Sequence, residues 1–341
     1  MSISYRTRQR FARLGKTLLT LTVAAIVIWL CWIIWVGRYI VYTPNGARLD
    51  FSLGAFPEGV LAVPPTEDAD FDIIYNDPPI DATDPIVERS SIQGYYIDFE
   101  DLKTDISAVK ARLETLPAGT AVLLDLKNTK GYFHYSTSVG TTTSRDVDTA
   151  QMDALIEYLA NSHLYAIARI PAFRDWEYGL NHVPSGLPKK GGRGSLWMDE
   201  TNCYWLNPAH EDTLNYLVNI TRELRSLGFD EVVYSDFRFP NTDQILFEGD
   251  KAQAIADAAT TLATACGTGQ FCVSFMSSTP AFQLPEGNCR VYLQNVAAAD
   301  IESAVQQVPT ADPNTHILFL TTVNDTRFDD YCVLRPLDSA H

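Results

Sequence analysis

Basic residues are scarce in this chain of 341: 26 Lys and Arg stand against 42 Asp and Glu, a formal charge of -16. The deficit deepens past the N-terminus, because Arg6, Arg8, Arg10, Arg13 and Lys16 occupy the first 17 residues without an acid and leave -21 for the rest. A body so acidic repels phosphate backbones, which excludes nucleic acid as its partner. No GxSxG elbow and no HExxH helix occurs, and the six histidines have no ligand spacing, so neither a metal nor another cofactor is expected. Gly15-Lys16-Thr17 ends like a phosphate-binding loop, but Arg10 stands where the first glycine belongs. Cysteine is sparse as well. Cys31 falls in an apolar run, and Cys203, Cys266, Cys272, Cys289 and Cys332 are an odd set; Cys266 and Cys272 are close enough to bridge or to stay a buried thiol pair.

What is present divides the chain. Leu18 to Val36 holds no charged residue, enough at about 1.5 Å per residue to cross most of a hydrocarbon core of about 30 Å. The run exceeds a signal-peptide core and lacks a small-x-small cleavage site, which predicts an uncleaved anchor over residues 18–42. The basic tail, 1–17, places the N-terminus in the cytoplasm and the remainder outside it, and Trp29, Trp32, Trp35, Tyr39 and Tyr42 suit the outer interface. Residues 43–90 carry seven prolines and ten acids against Arg48 and Arg89, the composition of an extended tether.

From residue 91 to 341 apolar runs of strand length alternate with helical patterns. The runs are GYYI (94–97), AVLLDL (121–126), LYAIARI (164–170), EVVY (231–234), FCVSFM (271–276), RVYL (290–293) and HILFL (316–320), with 328–334 as an eighth. Helices are predicted over 102–116, 149–161, 211–227, 251–265 and 299–307. Strands apolar on both faces, joined by amphipathic helices, predict a parallel sheet covered on both sides. Seven or eight strands in about 250 residues match a (β/α)8 TIM-like barrel, with room for an irregular C-terminal part. The rival, a doubly wound open sheet, would carry glycine in its first turn, where this chain has Asp98, Phe99, Glu100 and Asp101.

Barrel chemistry sits where strands end. Asp125, Lys127, Arg169 and Asp236 with Arg238 fall there, and a charge inside an apolar run needs a partner or a function. Asp125 with Arg169 can be a structural ion pair. Alternatively Asp125 and a carboxylate at the end of strand 4 face each other across the mouth, as glycoside hydrolysis requires, at about 5 to 5.5 Å for retention or about 6.5 to 9.5 Å for inversion. An Arg beside a carboxylate favours the ionised form and so a base or nucleophile, leaving Asp98, Glu100 and Glu231 as further candidates for the acid. Lys127, Tyr132, Trp176, Trp197 and Trp205, at or after the ends of strands 2 and 3, are the candidates for binding substrate, the flat rings by stacking on sugars; Trp197 and Trp205 can instead roof the loop's own small core. The Lys189 to Gly194 loop can close over an acidic polymer or simply be solvated.

The runs AVLLDLKNTKGYFHYS, LYAIARIPAFRD, YWLNPAHEDTLNYL and LGFDEVVYSDFRFP, in that order, resemble the bacterial putative glycoside hydrolase domain family over roughly 92–240. The resemblance implies a (β/α)8 barrel acting on a polysaccharide, and its pattern is met by Asp125, Lys127, Arg169, Asp175, Trp205, Pro208, Asp230, Glu231, Arg238 and Pro240. Two positions depart from it. Ser235 stands where the family has aspartate, with Asp236 one place on, and Asn207 stands where Asp is frequent. One step along a strand reverses a side chain's face, so Asp236 is expected to face the helices unless a bulge restores it. The implied alternatives are an anchored hydrolase using Asp125 and Asp236, with Arg169 and Arg238 orienting them, or a catalytically degenerate barrel that binds polysaccharide or scaffolds envelope partners.

Overall fold

The computed structural model describes residues 29, 40–43 and 46–49, and then 91–140, 142–192, 194–267, 270–277, 285 and 289–337. The expected anchor and tether therefore lie almost wholly outside the described residues. Their junction is described, and it is an antiparallel hairpin of Ile40–Thr43 with Gly46–Leu49. Ile40, Val41, Tyr42 and Thr43 are β-branched or aromatic, residue types that favour a strand. Among the described residues no helix is long and apolar enough to cross a membrane. The chain divides into two units, 1–76 and 77–341.

The second unit holds a closed parallel barrel of eight strands: β1 Gln93–Tyr96, β2 Ala121–Asp125, β3 Tyr165–Pro171, β4 Glu231–Ser235, β5 Cys272–Met276, β6 Val291–Gln294, β7 Ile317–Leu320 and β8 Cys332–Pro336. Each strand pairs with the next in sequence, and β8 closes on β1. Alternation sorts the side chains. Ala121, Leu123, Ile167, Val233, Tyr292 and Leu318 fill the interior. Val122, Leu124, Ala166, Ala168, Val232 and Tyr234 pack outward against the helices. At Gly94 the strands come so close that an added Cβ would run into the Ala121 carbonyl, so β1 is held against β2 by the absence of a side chain.

The helices are α1 Phe99–Thr104, α2 Ile106–Leu113, α3 Thr149–Ala160, α4 Trp176–Asn181, α5 Glu211–Ser226, α6 Lys251–Cys266, α7 Ile301–Gln306 and α8 Pro313–His316. Five aspartates sit at helix starts. Asp98, Asp105, Asp148, Asp175 and Asp250 cap α1, α2, α3, α4 and α6 by accepting from first-turn N–H groups. Asp105 explains one departure from the sequence reading. The single helix expected over 102–116 is broken because Asp105 takes an extended conformation and caps a new helix through Ala108 N–H. The eighth strand likewise starts later than expected, at Cys332, because Asp325 caps a short turn over Thr326–Phe328. Cys203, Cys266, Cys272, Cys289 and Cys332 are all buried thiols, so the bridge considered for Cys266 and Cys272 is not formed.

The end of the barrel where strands begin is closed by charge. Glu231, the first residue of β4, is wholly buried and accepts from Arg290 at 2.5 Å and from the hydroxyls of Tyr165 and Tyr292 at 2.9 Å each. Arg290 also donates to the Thr315 carbonyl. The expectation that Glu231 could serve as a catalytic acid is thereby corrected: it starts its strand, opposite the mouth, and its oxygens are occupied.

Candidate active site

At the other end the strand termini form an open cup. Two lobes of about 460 and 570 Å3 share a wall of Phe99, Asp125, Arg169, Gln294 and Asn295. Asp125 ends β2, and the β2–β3 register sets it directly beside Arg169. The guanidinium grips the carboxylate with two parallel bonds, Nε to Oδ1 at 2.5 Å and Nη2 to Oδ2 at 2.6 Å. Burial works against the Arg169 charge, but the bonds and charge of Asp125 outweigh it and raise the arginine's pKa. Both side chains keep about a fifth of their surface open to the cup.

Asp236 resolves the register problem posed by its sequence. β4 ends at Ser235, and Asp236 takes φ 50°, a left-handed conformation that Asp tolerates better than most residues. The strand's two-residue alternation lapses there, and both Ser235 and Asp236 line the cup with Asp125. Burial raises the Asp236 pKa, opposed by Arg174 and Arg238 and assisted by Asp199. Its contact with Arg238 is loose, 4.0 Å, and the Arg238 guanidinium lies over the Trp205 ring at 4.9 Å.

Trp205 and Arg174 are held by a knot around Asp199 in the loop after β3. Asp199 Oδ1 accepts from the N–H groups of Thr201 and Cys203 and the Thr201 hydroxyl; Oδ2 accepts from Arg174 Nε at 2.7 Å and Trp205 Nε1 at 3.1 Å. Burial opposes the charge, yet these donors hold the Asp199 pKa down at about 2. Nothing in the sequence marked Asp199.

The residues expected to bind substrate are largely elsewhere. Lys127 follows β2 and is among the residues that line the cup, while its ammonium is fully enclosed against Asp175 at 2.5 Å, and Asp175 also accepts from Tyr216 while capping α4. The ammonium is thus held in a buried ion pair. Trp205 is 3% exposed, with the partly buried Trp197 packed at 6.5 Å from it, and neither ring is among the residues that line the cup. Trp176 opens α4, Tyr132 sits in the β2–α3 loop, and neither is among the residues that line the cup. Asp98 does line it, while capping α1; Glu100 is exposed and pairs with Lys103.

Sequence reasoning missed the far wall. Gln294 ends β6, Asn295 follows at φ 58°, and Tyr96, Thr321 and His134 complete the surface. Two of the three non-glycine residues with positive φ among the described residues, Asp236 and Asn295, therefore line one cup. Among the described residues no group of three or more His, Cys, Asp or Glu is placed to hold a metal ion.

Residues 105–267 match the model of a family described as "Putative glycosyl hydrolase domain", the same kind of domain that the strand-end motifs resemble. The matched segment takes in β2, β3, β4 and their loops, and with them Asp125, Arg169 and Asp236. No curated protein matches the chain. Among solved structures, a hypothetical protein from Ruminiclostridium thermocellum is 20% identical, covering 58% of this chain and 96% of its own, with a TM-score of 0.44. The beta-N-acetylhexosaminidase from Bacteroides fragilis is 12% identical over 69% of this chain and 51% of its own, TM-score 0.47. Alpha-L-fucosidase isoenzyme 2 from Paenibacillus thiaminolyticus is 12% identical over 68% and 40%, TM-score 0.49. The chain spans about half or less of these two enzymes.

Proposed function

We propose that the barrel is a glycoside hydrolase in which Asp236 is the general acid and Asp125 the base, with Arg169 fixing Asp125. The observation that carries this reading is the left-handed turn at Asp236, which sets a second carboxylate into the cup that already holds Asp125. The division of labour follows from surroundings. Burial favours the protonated form of Asp236, as an acid that protonates a leaving oxygen needs. Asp125 has both oxygens aligned by a fixed guanidinium, which suits a group that must receive a proton from a defined direction.

The strands carrying the pair are separated by β3, so their backbones are about 10 Å apart at the usual strand spacing. That backbone spacing is compatible with a carboxyl separation of about 5 to 5.5 Å, as in retaining enzymes, or of about 6.5 to 9.5 Å, as in inverting ones, so the stereochemical course is decided by experiment. The substrate is then a polysaccharide outside the cytoplasm, with the apolar run of 18–36 as the core of the anchor. Incubating the protein with envelope and plant polysaccharides and detecting new reducing ends tests the activity; NMR of the anomer first released tests the stereochemistry.

The second reading is a binding barrel without chemistry, and Ser235 in the aspartate's usual place favours it. It predicts saccharide binding that is unchanged by Asp236→Asn and no reducing ends from any substrate.

A further inference from the structure

Lys127, His134 and Thr321 are buried polar side chains of the cup wall that the proposed chemistry does not use, and of these three only His134 has a buried side-chain atom without a hydrogen-bond partner. Its position is fixed by the backbone: Lys127 and Phe133 form an antiparallel bridge, and His134 N–H donates to the Leu126 carbonyl at 2.9 Å, one residue beyond Asp125. Its ring lies against Phe99 at 4.3 Å between centroids, and both residues line the lobe that holds Asp125 and Asp236. Only 1% of the residue is exposed, yet neither ring nitrogen makes a hydrogen bond to a described residue, and Nδ1 is sealed from solvent without any partner.

A histidine kept for packing is normally satisfied, because an unmet buried polar group costs about 1 to 3 kcal/mol. Burial pushes this imidazole down to about 4, against the pull of Asp125 and Asp146, so it is neutral over most of the working pH range. A neutral ring carries one N–H. A bare lone pair is tolerated in an interior more readily than a bare N–H, which leaves the proton on Nε2 and Nδ1 without one.

We propose that His134 is a specificity-determining residue of the cup, its Nε2–H donating to one hydroxyl of the sugar bound beside Asp125. The inference rests on the glycoside hydrolase reading and adds to it a neutral donor that discriminates among sugars by the hydroxyl they present. A site built to hydrogen-bond a hydroxyl rejects an analogue that lacks it, since the buried donor is then left unmet.

The test uses the full-length protein and calorimetric titration with glucose, galactose, xylose, fucose and N-acetylglucosamine, followed by the monodeoxy forms of whichever binds. His134→Leu should weaken binding about five- to tenfold, the effect of one lost hydrogen bond. One deoxy sugar should lose the same factor against the original protein and nothing further against His134→Leu, and His134→Gln, which keeps an N–H donor, should recover part of the loss. The melting temperature of His134→Leu should not fall, because the sealed and unmet Nδ1 leaves the interior. Equal affinity in the original protein and His134→Leu would overturn the assignment while leaving the hydrolase reading intact. A melting temperature lowered by several degrees in both variants would overturn it in favour of a packing role. Failure of the original protein to bind any of the five sugars would remove the hydrolase reading and this inference with it.

Discussion

Asp125 and Arg169 are register partners on neighbouring strands, and the arginine meets both carboxylate oxygens at 2.5 and 2.6 Å from the rim of the same cup. A pair in this position can be cement or machinery, and the two differ in what a lysine does. Lys supplies the charge but not the fork. Arg169→Lys is expected to keep the fold within a few degrees of the original melting temperature and to lower kcat by about tenfold or more, because a displacement of about 1 Å in a catalytic group can cost about a hundredfold. Steady-state kinetics with a cleaved polysaccharide checks it; an unchanged kcat would make the pair cement.

Asp236 couples stability to pH in a defined direction. Its folded pKa is raised, by burial first, so the folded state binds the proton more tightly than the unfolded chain does. That contribution is fully present below the ordinary aspartate pKa and is lost as pH rises through the raised one. At neutral pH Asp236 is therefore a cost, and Asp236→Asn should melt no lower than the original protein while losing activity. The melting difference between the two should shrink in acid.

Glu223 behaves in the opposite sense. On α5, it accepts from Tyr135 Oη at 2.8 Å, Thr137 Oγ1 at 2.6 Å, and Ser138 N–H and Oγ at 2.5 and 2.6 Å, which ties the β2–α3 loop down. Burial would raise its pKa, but the Ser138 and Thr137 bonds prevail and lower it. Its stabilisation is present above the ordinary glutamate pKa and lost as pH falls through the folded value. Glu223→Ala should cost roughly 2 kcal/mol at neutral pH and much less in strong acid, as denaturant titrations at the two pH values would reveal.

The buried pair at the barrel's closed end predicts non-additivity. Glu231→Gln alone strands Arg290 in the interior and should destabilise by roughly 3 to 5 kcal/mol. Replacing both, as Glu231→Leu with Arg290→Met, should recover most of that loss, because two desolvation penalties vanish together. Chemical denaturation of the two variants measures the coupling.

The barrel was legible because strands buried on both faces write continuous apolar runs, as β2 to β7 largely do, while β1, with exposed Gln93 and half-buried tyrosines, does so least. Asp125 and Arg169 were legible too, each being a charge inside such a run. Asp236 was legible as a candidate but not as a member of the cup, since its place there depends on one left-handed dihedral. The ion pair of Lys127 was not legible for a related reason. The lysine's partner Asp175 lies 48 positions away, and only the folded loops bring the two together out of water. The same holds for Glu231 with Arg290, and for His134, whose significance is the absence of a partner, which no sequence records.

The central claim, that two carboxylates in one cup break glycosidic bonds, meets its most direct test in single-turnover cleavage by the original protein, Asp125→Asn and Asp236→Asn. Use whichever polysaccharide yields reducing ends, and verify by circular dichroism that all three are folded. The account predicts cleavage by the original protein and losses of about a hundredfold or more in each variant, with Asp236→Asn losing least on substrates whose leaving group needs no proton. Cleavage that persists in either folded variant at the original rate would contradict it.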